Sequence, residues 1–475
     1  MTIPAATPVG TPFDAAVLDG PSSGKATLEG KVPEWLRGRL MRTAPAVFEL
    51  GGWSAAHWFD GLGMLYALDI EPAEVRFKQR LVDCEAVGLA RRGRMPVSSF
   101  ATRNDRSFLE RIFQPIAKLT DNTNVNIVPT PNGWLAMTET PRQLLIDGDS
   151  LETSRAVHYE DVLGAGVIML AHPVHERATD ELINLAIGIG RKVTITPYRQ
   201  KLGAFVREPI GTIVMGDLPY LHAFGVTPTK IVVVAPPLRA NPLKLLWSNA
   251  GYIDHFRWHA TRPTDIYLVD RSTGDVRHLE ADPFFFFHTV NAFDDGDDVV
   301  IDLCASRDAS IIDRLRIASL RDDPSTDSTL CRLRIPASGS RATRETLNTE
   351  PLEFPSVNHA RVGGRRHDVL WGAAIARDAT SITSAIRRIG AASGSATRFE
   401  RERVVYGEPL FVRRPAGTTE DDGVLLAVGS DLVARTAELV ILDARDLEPL
   451  ATARLPIPLP LGFHGSFQRL SAGTP

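Results

Sequence analysis

A recurring strand–aspartate–turn–strand unit is the feature that most limits how this chain can fold. Four clear copies begin at MLYALD, QLLID, DIYLVD and ELVILD, and each continues through a turn into a second, polar-alternating strand. Asp69, Asp147, Asp270 and Asp443 hold equivalent places, where a carboxylate can accept hydrogen bonds from the backbone of the turn. Because the copies run from the first 70 residues to the last 40, the pattern predicts β-hairpins along the whole chain.

Many other short apolar runs, such as WLAMTET, IVVVAPP and GVLLAVGS, alternate with turns rich in Gly, Pro and Asp. This pattern is typical of an all-β fold. A multi-sheet sandwich is one way to pack such strands. Repeated hairpins favour a β-propeller instead, formed as one domain by residues 1–475, with long loop insertions between the unequally spaced copies.

Composition excludes several classes of protein. The 475 residues carry a net charge of −4, so no general nucleic-acid surface is expected. The three cysteines, Cys84, Cys304 and Cys331, have no metal or redox spacing, which favours a reducing compartment. The first residues lack the pattern of a secretory signal, and no apolar run approaches the ~20 residues that span a bilayer. We therefore expect a cytoplasmic protein, with contact to a membrane surface left open.

One segment, residues 241–256, is predicted to be helical. Asn241 suits the N-cap and Pro242 the first helical position. An apolar face then comprises Leu243, Leu246, Trp247, Ala250 and Ile253. Such a helix either caps the β-core or dips into lipid, with Arg239 and Lys244 at its rim.

Four of the twelve histidines lie where an apolar, strand-like run meets a turn: His172 in LAHPVHE, His222 in YLHAFGVT, His288 in FFFFHTVNAF and His464 in GFHGSF. They are 50, 66 and 176 residues apart, which matches no local zinc motif. A closed radial β-fold can bring such strand ends together, so we predict a metal held by four imidazoles on the propeller axis. Imidazole binds iron, copper, zinc and nickel alike, so ligand type leaves the metal open. His175 is not expected to be a ligand.

Three glutamates stand in apolar strand contexts: Glu139 in AMTETP, Glu353 in LEFPSVN and Glu408 in GEPLFV. A metal-bound histidine usually donates its other N–H to a carboxylate or a carbonyl. These glutamates are therefore candidates to orient the histidines. Taken without the histidines, they are strand-edge acids exposed to solvent.

Together these residues resemble the carotenoid cleavage oxygenase family. The motifs HWFDGLGMLY, TDNTNVNIV, LAHPVHE, FFFFHTVNAFDD, LEFPSVN, TTEDDGVLLAV and GFHGSF occur in the family's order over nearly the whole chain. Within the family, TDNTNVNIV, LEFPSVNHA and TEDDGVLLAV look most like the carotene-oxygenase and retinoid-isomerase branch.

The resemblance implies a seven-bladed propeller, with loops and short helical insertions forming a cap over an axial Fe(2+). The implied iron ligands are His172, His222, His288 and His464. The implied pairs are Glu139 with His222, Glu353 with His288 and Glu408 with His464, which leaves His172 without a carboxylate. Val125 is placed beside an open iron position, and Phe287 is a candidate for the substrate pocket. The family's AHPH sequence is interrupted here by Val174, so the loop at His172 is expected to differ.

The implied activity is cleavage of a conjugated C=C bond of a carotenoid or apocarotenoid with O2, giving two carbonyl products, by a protein that contacts the membrane holding its substrate. Alternatives on the same site are a stilbenoid dioxygenase and a retinoid isomerase. The stilbenoid reading is weakened because PTPNGWLAMTE carries Trp134 and no lysine. A different class is a propeller binding module with an empty or structural metal site.

Overall fold

The computed structural model describes residues 22–114, 116–164, 166–245, 248–320, 325–377, 382–431 and 433–470. Within them, seven antiparallel sheets of four to six strands form the blades of a β-propeller. The predicted all-β, seven-bladed fold is thereby confirmed. That residues 1–475 form a single domain stays a prediction.

The blades are numbered here in chain order, and the strands of the first four are as follows. Blade 1 comprises Ser22–Lys25, Gly38–Val47, Leu62–Glu71, Glu74–Leu81 and Gly465–Arg469. Blade 2 comprises Asn126–Thr130, Gly133–Met137, Leu144–Ile146 and Thr153–Ala156. Blade 3 comprises Ile168–Met169, Val174–Glu176, Glu181–Ile189, Val193–Lys201, Glu208–Pro209 and Ile213–Met215. Blade 4 comprises Gly225–Val226, Lys230–Ala235, Thr264–Asp270 and Val276–Ala281.

The remaining three blades complete the ring. Blade 5 comprises Phe285–Asp295, Asp298–Ser306, Thr329–Ile335 and Thr343–Pro351. Blade 6 comprises Glu353–Ser356, Val369–Arg377, Ile382–Gly390 and Ala396–Glu400. Blade 7 comprises Thr27–Gly30, Val404–Tyr406, Leu410–Arg413, Gly423–Asp431, Thr436–Asp443 and Pro449–Leu455.

Early and late strands of the chain share two blades. In blade 7, Thr27–Gly30 pairs with the late strand Pro449–Leu455. In blade 1, Gly465–Arg469 pairs with the early strand Gly38–Val47. These exchanges join the two ends of the ring and leave fewer unpaired strand edges.

The predicted aspartate turns are present at three of the four hairpins. Asp147 and Asp270 each accept hydrogen bonds from the backbone N–H groups two and three residues further on, and Asp443 accepts one from the residue two further on. Asp69 differs, because its carboxylate forms an ion pair with Arg39 at 2.6 Å.

Short helices and small sheets lie in the insertions between strands. The α-helices are α1 (Glu85–Arg91), α2 (Phe108–Phe113), α3 (Pro242–Leu245), α4 (Ser310–Arg314), α5 (Ile317–Leu320) and α6 (His359–Val362). The 3-10 helices are Trp58–Asp60 and Tyr252–His255. The small sheets comprise Leu218–Pro219, Leu238–Ala240 and Phe256–Trp258, and Glu49–Leu50 with Trp53–Ser54. Each described helix is too short or too polar to cross a membrane.

The predicted helix over residues 241–256 is wrong. Among the described residues of this range, α3 is the one α-helix, and residues 248–251 are irregular before a 3-10 helix and a strand. Asn249 donates its side-chain N–H to the carbonyl of Arg106, and a Cβ on Gly251 would fall 2.4 Å from Ala101. These contacts with the neighbouring loop outweigh a helical pattern that already contains a poor helix former in glycine. Leu246 and Trp247 lie outside the described residues.

Candidate metal centre

The four predicted histidines converge at one point of the propeller. One ring nitrogen from each lies within 4.8 Å of those of the other three. The Nε2 atom of His464 lies 2.9 Å from Nε2 of His172 and 3.0 Å from Nε2 of His288. Two nitrogens bound about 2.1 Å from one metal at right angles would be about 3.0 Å apart. The spacing therefore fits a metal ion bound through imidazole nitrogens.

Every blade supplies one residue, which is either one of the four histidines or one of the three glutamates that surround them. In blade order, these residues are His464, Glu139, His172, His222, His288, Glu353 and Glu408, each on or within three residues of a strand of its blade. At His288 the strand pairing shifts between Phe286 and Thr289, which marks a β-bulge. A bulge re-aims side chains, and here the consecutive residues Phe287 and His288 both face the central cavity.

Three of the histidines donate a hydrogen bond from Nδ1 to a glutamate. The Nδ1–O distances are 2.6 Å for His222 with Glu139, 2.6 Å for His288 with Glu353, and 2.8 Å for His464 with Glu408. These are the three pairs named from the sequence. A proton held on Nδ1 leaves the lone pair of Nε2 free to bind a metal.

His172 is the fourth member and differs from the other three. Its Nδ1 atom is buried and has no hydrogen-bond partner among the described residues. His175, three residues later, is turned outward and lies 3.0 Å from Asp180. The structure thus brings His172 into the centre and leaves His175 out of it.

Burial keeps two of these imidazoles neutral. It lowers the pKa of His464 to about 4, although Glu408 acts in the opposite direction. Burial and the neighbouring imidazoles hold the pKa of His172 well below its usual value. Burial would raise the pKa of Glu408, but His464 and Arg42 outweigh it and the pKa is lowered. His464 is therefore in the neutral form that binds a metal, and it lies beside the ionised carboxylate of Glu408.

A cavity lined mainly by aromatic and aliphatic side chains opens beside the histidines. Its aromatic lining includes Trp53, Trp58, Phe59, Phe100, Tyr252, Phe287, Phe354 and Phe463. Val125 and Phe287, both named from the sequence, are among the lining residues. Successive side chains of the run from Phe284 to Phe287 point to opposite sides of the extended chain. Phe284 and Phe286 pack in the core between blades 4 and 5, whereas Phe285 and Phe287 belong to the central cluster.

Sequence reasoning missed three aromatic residues next to the centre. The ring of Phe59 stacks on His222 at 6.4 Å and 14°. The ring of Phe354 lies 5.2 Å from His288, on a backbone with φ of 51° that lets it follow Glu353 toward the cavity. Phe463 also lines the cavity. Phe354 and Phe463 adjoin Glu353 and His464 in the sequence, and that adjacency was an available signal.

Asp60 is a buried acid of the cavity wall. Its two oxygens accept bonds from the backbone N–H groups of residues 100, 101 and 102 and from the hydroxyl of Thr102. Burial raises its pKa, and these hydrogen bonds act against the rise. With its oxygens already engaged, this carboxylate holds the 99–102 loop in place and is poorly suited to act as a general base.

Comparison with known proteins gives concordant matches. The family model described as retinal pigment epithelial membrane protein matches residues 19–469. The chloroplastic carotenoid cleavage dioxygenase 8 homolog A of Oryza sativa subsp. japonica is 31% identical over 474 residues, covering 93% of this chain and 84% of that protein. The carotenoid isomerooxygenase of Galleria mellonella is 27% identical, covering 93% of each. The crystal structure of cobalt-substituted Synechocystis ACO superposes with a TM-score of 0.83 at 25% identity, covering 97% of this chain and 98% of that one.

Proposed function

This chain belongs to the retinal pigment epithelial membrane protein family and is an enzyme, and we propose that it is an iron-dependent dioxygenase that cleaves a conjugated C=C bond of a carotenoid or apocarotenoid. The reaction consumes one O2, breaks the double bond and leaves one oxygen atom on each new carbonyl. No proton or external electron is needed for that balance. The observation that carries the proposal is the four-histidine centre at the wall of an apolar cavity.

The metal-binding group is the set of His172, His222, His288 and His464. Neutral imidazoles suit several transition metals, and among them a redox-active ion such as Fe(II) suits the O2 chemistry that the name dioxygenase implies for a relative. When bound, Fe(II) would supply the binding and reduction of O2. Glu139, Glu353 and Glu408 would hold three of the imidazoles in the orientation and tautomer that a metal requires.

The cavity wall suits a polyene. Aromatic rings from Phe59, Phe287 and Phe463 lie at the histidine end and exclude water from the reacting bond. Among the described lining residues there is no lysine or arginine that could hold a phenolate. The wall therefore favours a carotenoid over a stilbenoid substrate.

Incubation of the iron-loaded protein with β-carotene, an apocarotenal, resveratrol and a retinyl ester tests the proposal, with products separated by chromatography and identified by mass spectrometry. We expect two carbonyl products from a carotenoid or the apocarotenal, each containing one 18O atom when 18O2 is used. Cleavage of resveratrol alone would favour the stilbenoid reading, and isomerised retinyl ester would favour the isomerase. Metal binding without turnover of any substrate would favour a binding module.

We further propose that the protein contacts a membrane surface through α2 and its neighbours. Exposed apolar side chains cluster there: Phe108, Leu109, Ile112, Phe113 and Ile116 are each 55–85% exposed, and Leu243 of α3 is 54% exposed. Arg106 links the segment that follows α2 to the segment that follows α3, because its guanidinium donates to the carbonyls of Gln114 and Ser248. Arg239, expected at the rim of this region, is instead buried against Asp265. Apolar patches of this kind are rare on monomeric proteins and mark interaction sites.

Substituting both Phe108 and Phe113 by Glu should abolish binding to phosphatidylcholine vesicles. None of the α2 residues is buried, so the melting temperature should hardly change. Vesicle flotation and thermal unfolding measure the two effects. Val433→Glu, at an exposed turn of blade 7, is the control and should float like the wild type. Unchanged flotation of the double variant would contradict the proposal.

A further inference from the structure

A buried arginine lies next to the pair of His464 and Glu408 in the metal centre. Arg42 lies on the Gly38–Val47 strand of blade 1 and is 1% exposed. Its Nη1 donates to the carbonyl of Glu408 at 3.0 Å, and its Nη2 donates to the carbonyl of Phe463 at 3.1 Å. The same Nη2 lies 3.3 Å from the Glu408 carboxylate. One guanidinium thus joins the segment carrying Glu408 to the segment carrying His464.

Glycines make room for this side chain. A Cβ on Gly465 would fall 2.5 Å from Cγ of Arg42. A Cβ on Gly462 would fall 3.2 Å from Nε of Arg42 and 2.8 Å from the hydroxyl of Tyr66. The GFHG segment therefore passes Arg42 at a distance that larger residues would prevent, with His464 between the two glycines.

Among the residues that the structure describes, the other two glutamates of the centre have no such partner. Glu353 is held by the hydroxyl of Ser328 at 2.9 Å in addition to His288. For Glu139, the one ion pair among the described residues is with His222. Glu408 alone of the three faces a permanently charged group, and it also accepts a bond from the backbone N–H of Gly465 at 3.1 Å.

We propose that Arg42 is a positioning residue of the metal centre, which fixes the Glu408 carboxylate and, through it, the ring orientation and tautomer of His464. This inference rests on the proposed role of His464 as a metal ligand. Arg42 touches neither the cavity nor the reacting atoms. Its guanidinium binds two carbonyls and a carboxylate together, a geometry that the compact ammonium of lysine reproduces only in part.

The test is the binding of cobalt(II) chloride to the full-length protein, followed by the visible spectrum of the ion without substrate. Partners that orient metal ligands are typically worth 10–100-fold in metal affinity. We expect Arg42→Met to weaken cobalt binding at least about tenfold and to change the spectrum, and Arg42→Lys to recover part of the affinity. Because no substrate is present, a failed oxygenase assay would leave this result intact.

Arg239→Met is the matched control. Arg239 is 2% exposed in its side chain, pairs with Asp265 at 11% exposure and bonds the carbonyl of Ala235, which closely parallels Arg42 with Glu408. We expect it to lower stability and to leave cobalt affinity and spectrum unchanged. Wild-type cobalt binding by Arg42→Met, or equal losses in the Arg42 and Arg239 variants, would overturn the proposal.

A second route applies where Arg42→Met fails to fold, because removing one partner of a buried pair leaves the other charge uncompensated. The double variant Arg42→Met with Glu408→Gln removes both charges. We expect its cobalt affinity to equal that of Glu408→Gln alone, since Arg42 acts through Glu408. A further tenfold loss in the double variant would show that Arg42 acts by another path and would overturn the proposal.

Discussion

Replacing His288 by Ala should remove iron and activity together. The imidazole of His288 lies 3.0 Å from that of His464 and is bonded to Glu353 at 2.6 Å. The variant therefore loses one of four proposed ligands and leaves the half-buried carboxylate of Glu353 with the hydroxyl of Ser328 but without its imidazole partner. Partners of metal ligands are already worth 10–100-fold in affinity, so loss of a ligand itself should reduce iron to less than about a tenth of an atom per chain. Metal analysis after desalting and product formation from an apocarotenal measure the two losses.

His175→Ala is the control for that experiment. His175 lies three residues after His172, yet it is directed to solvent and pairs with Asp180. We expect this variant to keep wild-type iron and wild-type turnover. Full iron occupancy in the His288 variant would remove His288 from the ligand set, and loss of iron in the His175 variant would extend the set beyond the four histidines.

Acid should destabilise the fold through His57, a histidine outside the metal centre. Its side chain is fully buried, with Nε2 donating to the carbonyl of Ile312 at 2.9 Å and Nδ1 accepting the N–H of Phe59 at 3.0 Å. Burial lowers the pKa of His57 to about 3. Between pH 6.5 and pH 3 the unfolded chain binds a proton here that the folded chain does not, so stability falls as the pH falls. The loss is about 1.4 kcal/mol per pH unit, or roughly 5 kcal/mol in total.

Urea unfolding at pH 7, 6, 5 and 4 measures this effect by comparing the wild type with His57→Gln. Glutamine can still donate to Ile312 but does not titrate. The other histidines titrate alike in both proteins, so the difference in unfolding free energy isolates His57. We expect the free energy of unfolding of His57→Gln to be lower than that of the wild type at pH 7. Below pH 6 the difference should change in favour of His57→Gln by about 1.4 kcal/mol per pH unit. Parallel stability curves would contradict the assignment.

The fold and the members of the metal centre could be predicted from sequence for one reason: the chemistry is carried by residue types that stand out in their context. An aspartate at a hairpin turn makes local hydrogen bonds, so Asp147, Asp270 and Asp443 could be placed from the sequence around them. The histidines and glutamates were candidates from their strand contexts, but the pairing of each histidine with its glutamate needed the family resemblance, because the partners are separated by up to 83 residues along the chain.

Among the described residues, the helix predicted over residues 241–256 is limited to α3 for a physical reason. Periodicity over residues 241–256 suggested a helix, but contacts of Asn249 and Gly251 with the 101–106 loop hold that stretch irregular. The short helix α2 was overlooked, although Ser107 and Glu110 form the reciprocal capping bonds of a helix start. The signal was present in SFLERIF, but a six-residue helix is too short for periodicity to reveal.

Arg42 and His57 illustrate what sequence could not provide. An arginine in a strand ordinarily lies on a solvent-facing side, and nothing near Arg42 in the chain reveals that its partners are 366 and 421 residues away. His57 likewise bonds the carbonyl of Ile312, 255 residues later. Both roles depend on closure of the ring, which local patterns do not encode.

Because each blade contributes one residue to the site, these residues are synthesised one after another, in their order along the chain. The ribosome makes Glu139 and His172 well before His464, and the strand that follows His464 is the one that pairs with blade 1. Blades 2 to 7 take all their described strands from residues 27–455, whereas blade 1 needs the strand Gly465–Arg469 that follows His464. The segment that completes blade 1 therefore also completes the four-histidine group, so loss of this segment would remove a strand of the ring and an imidazole of the proposed metal site together.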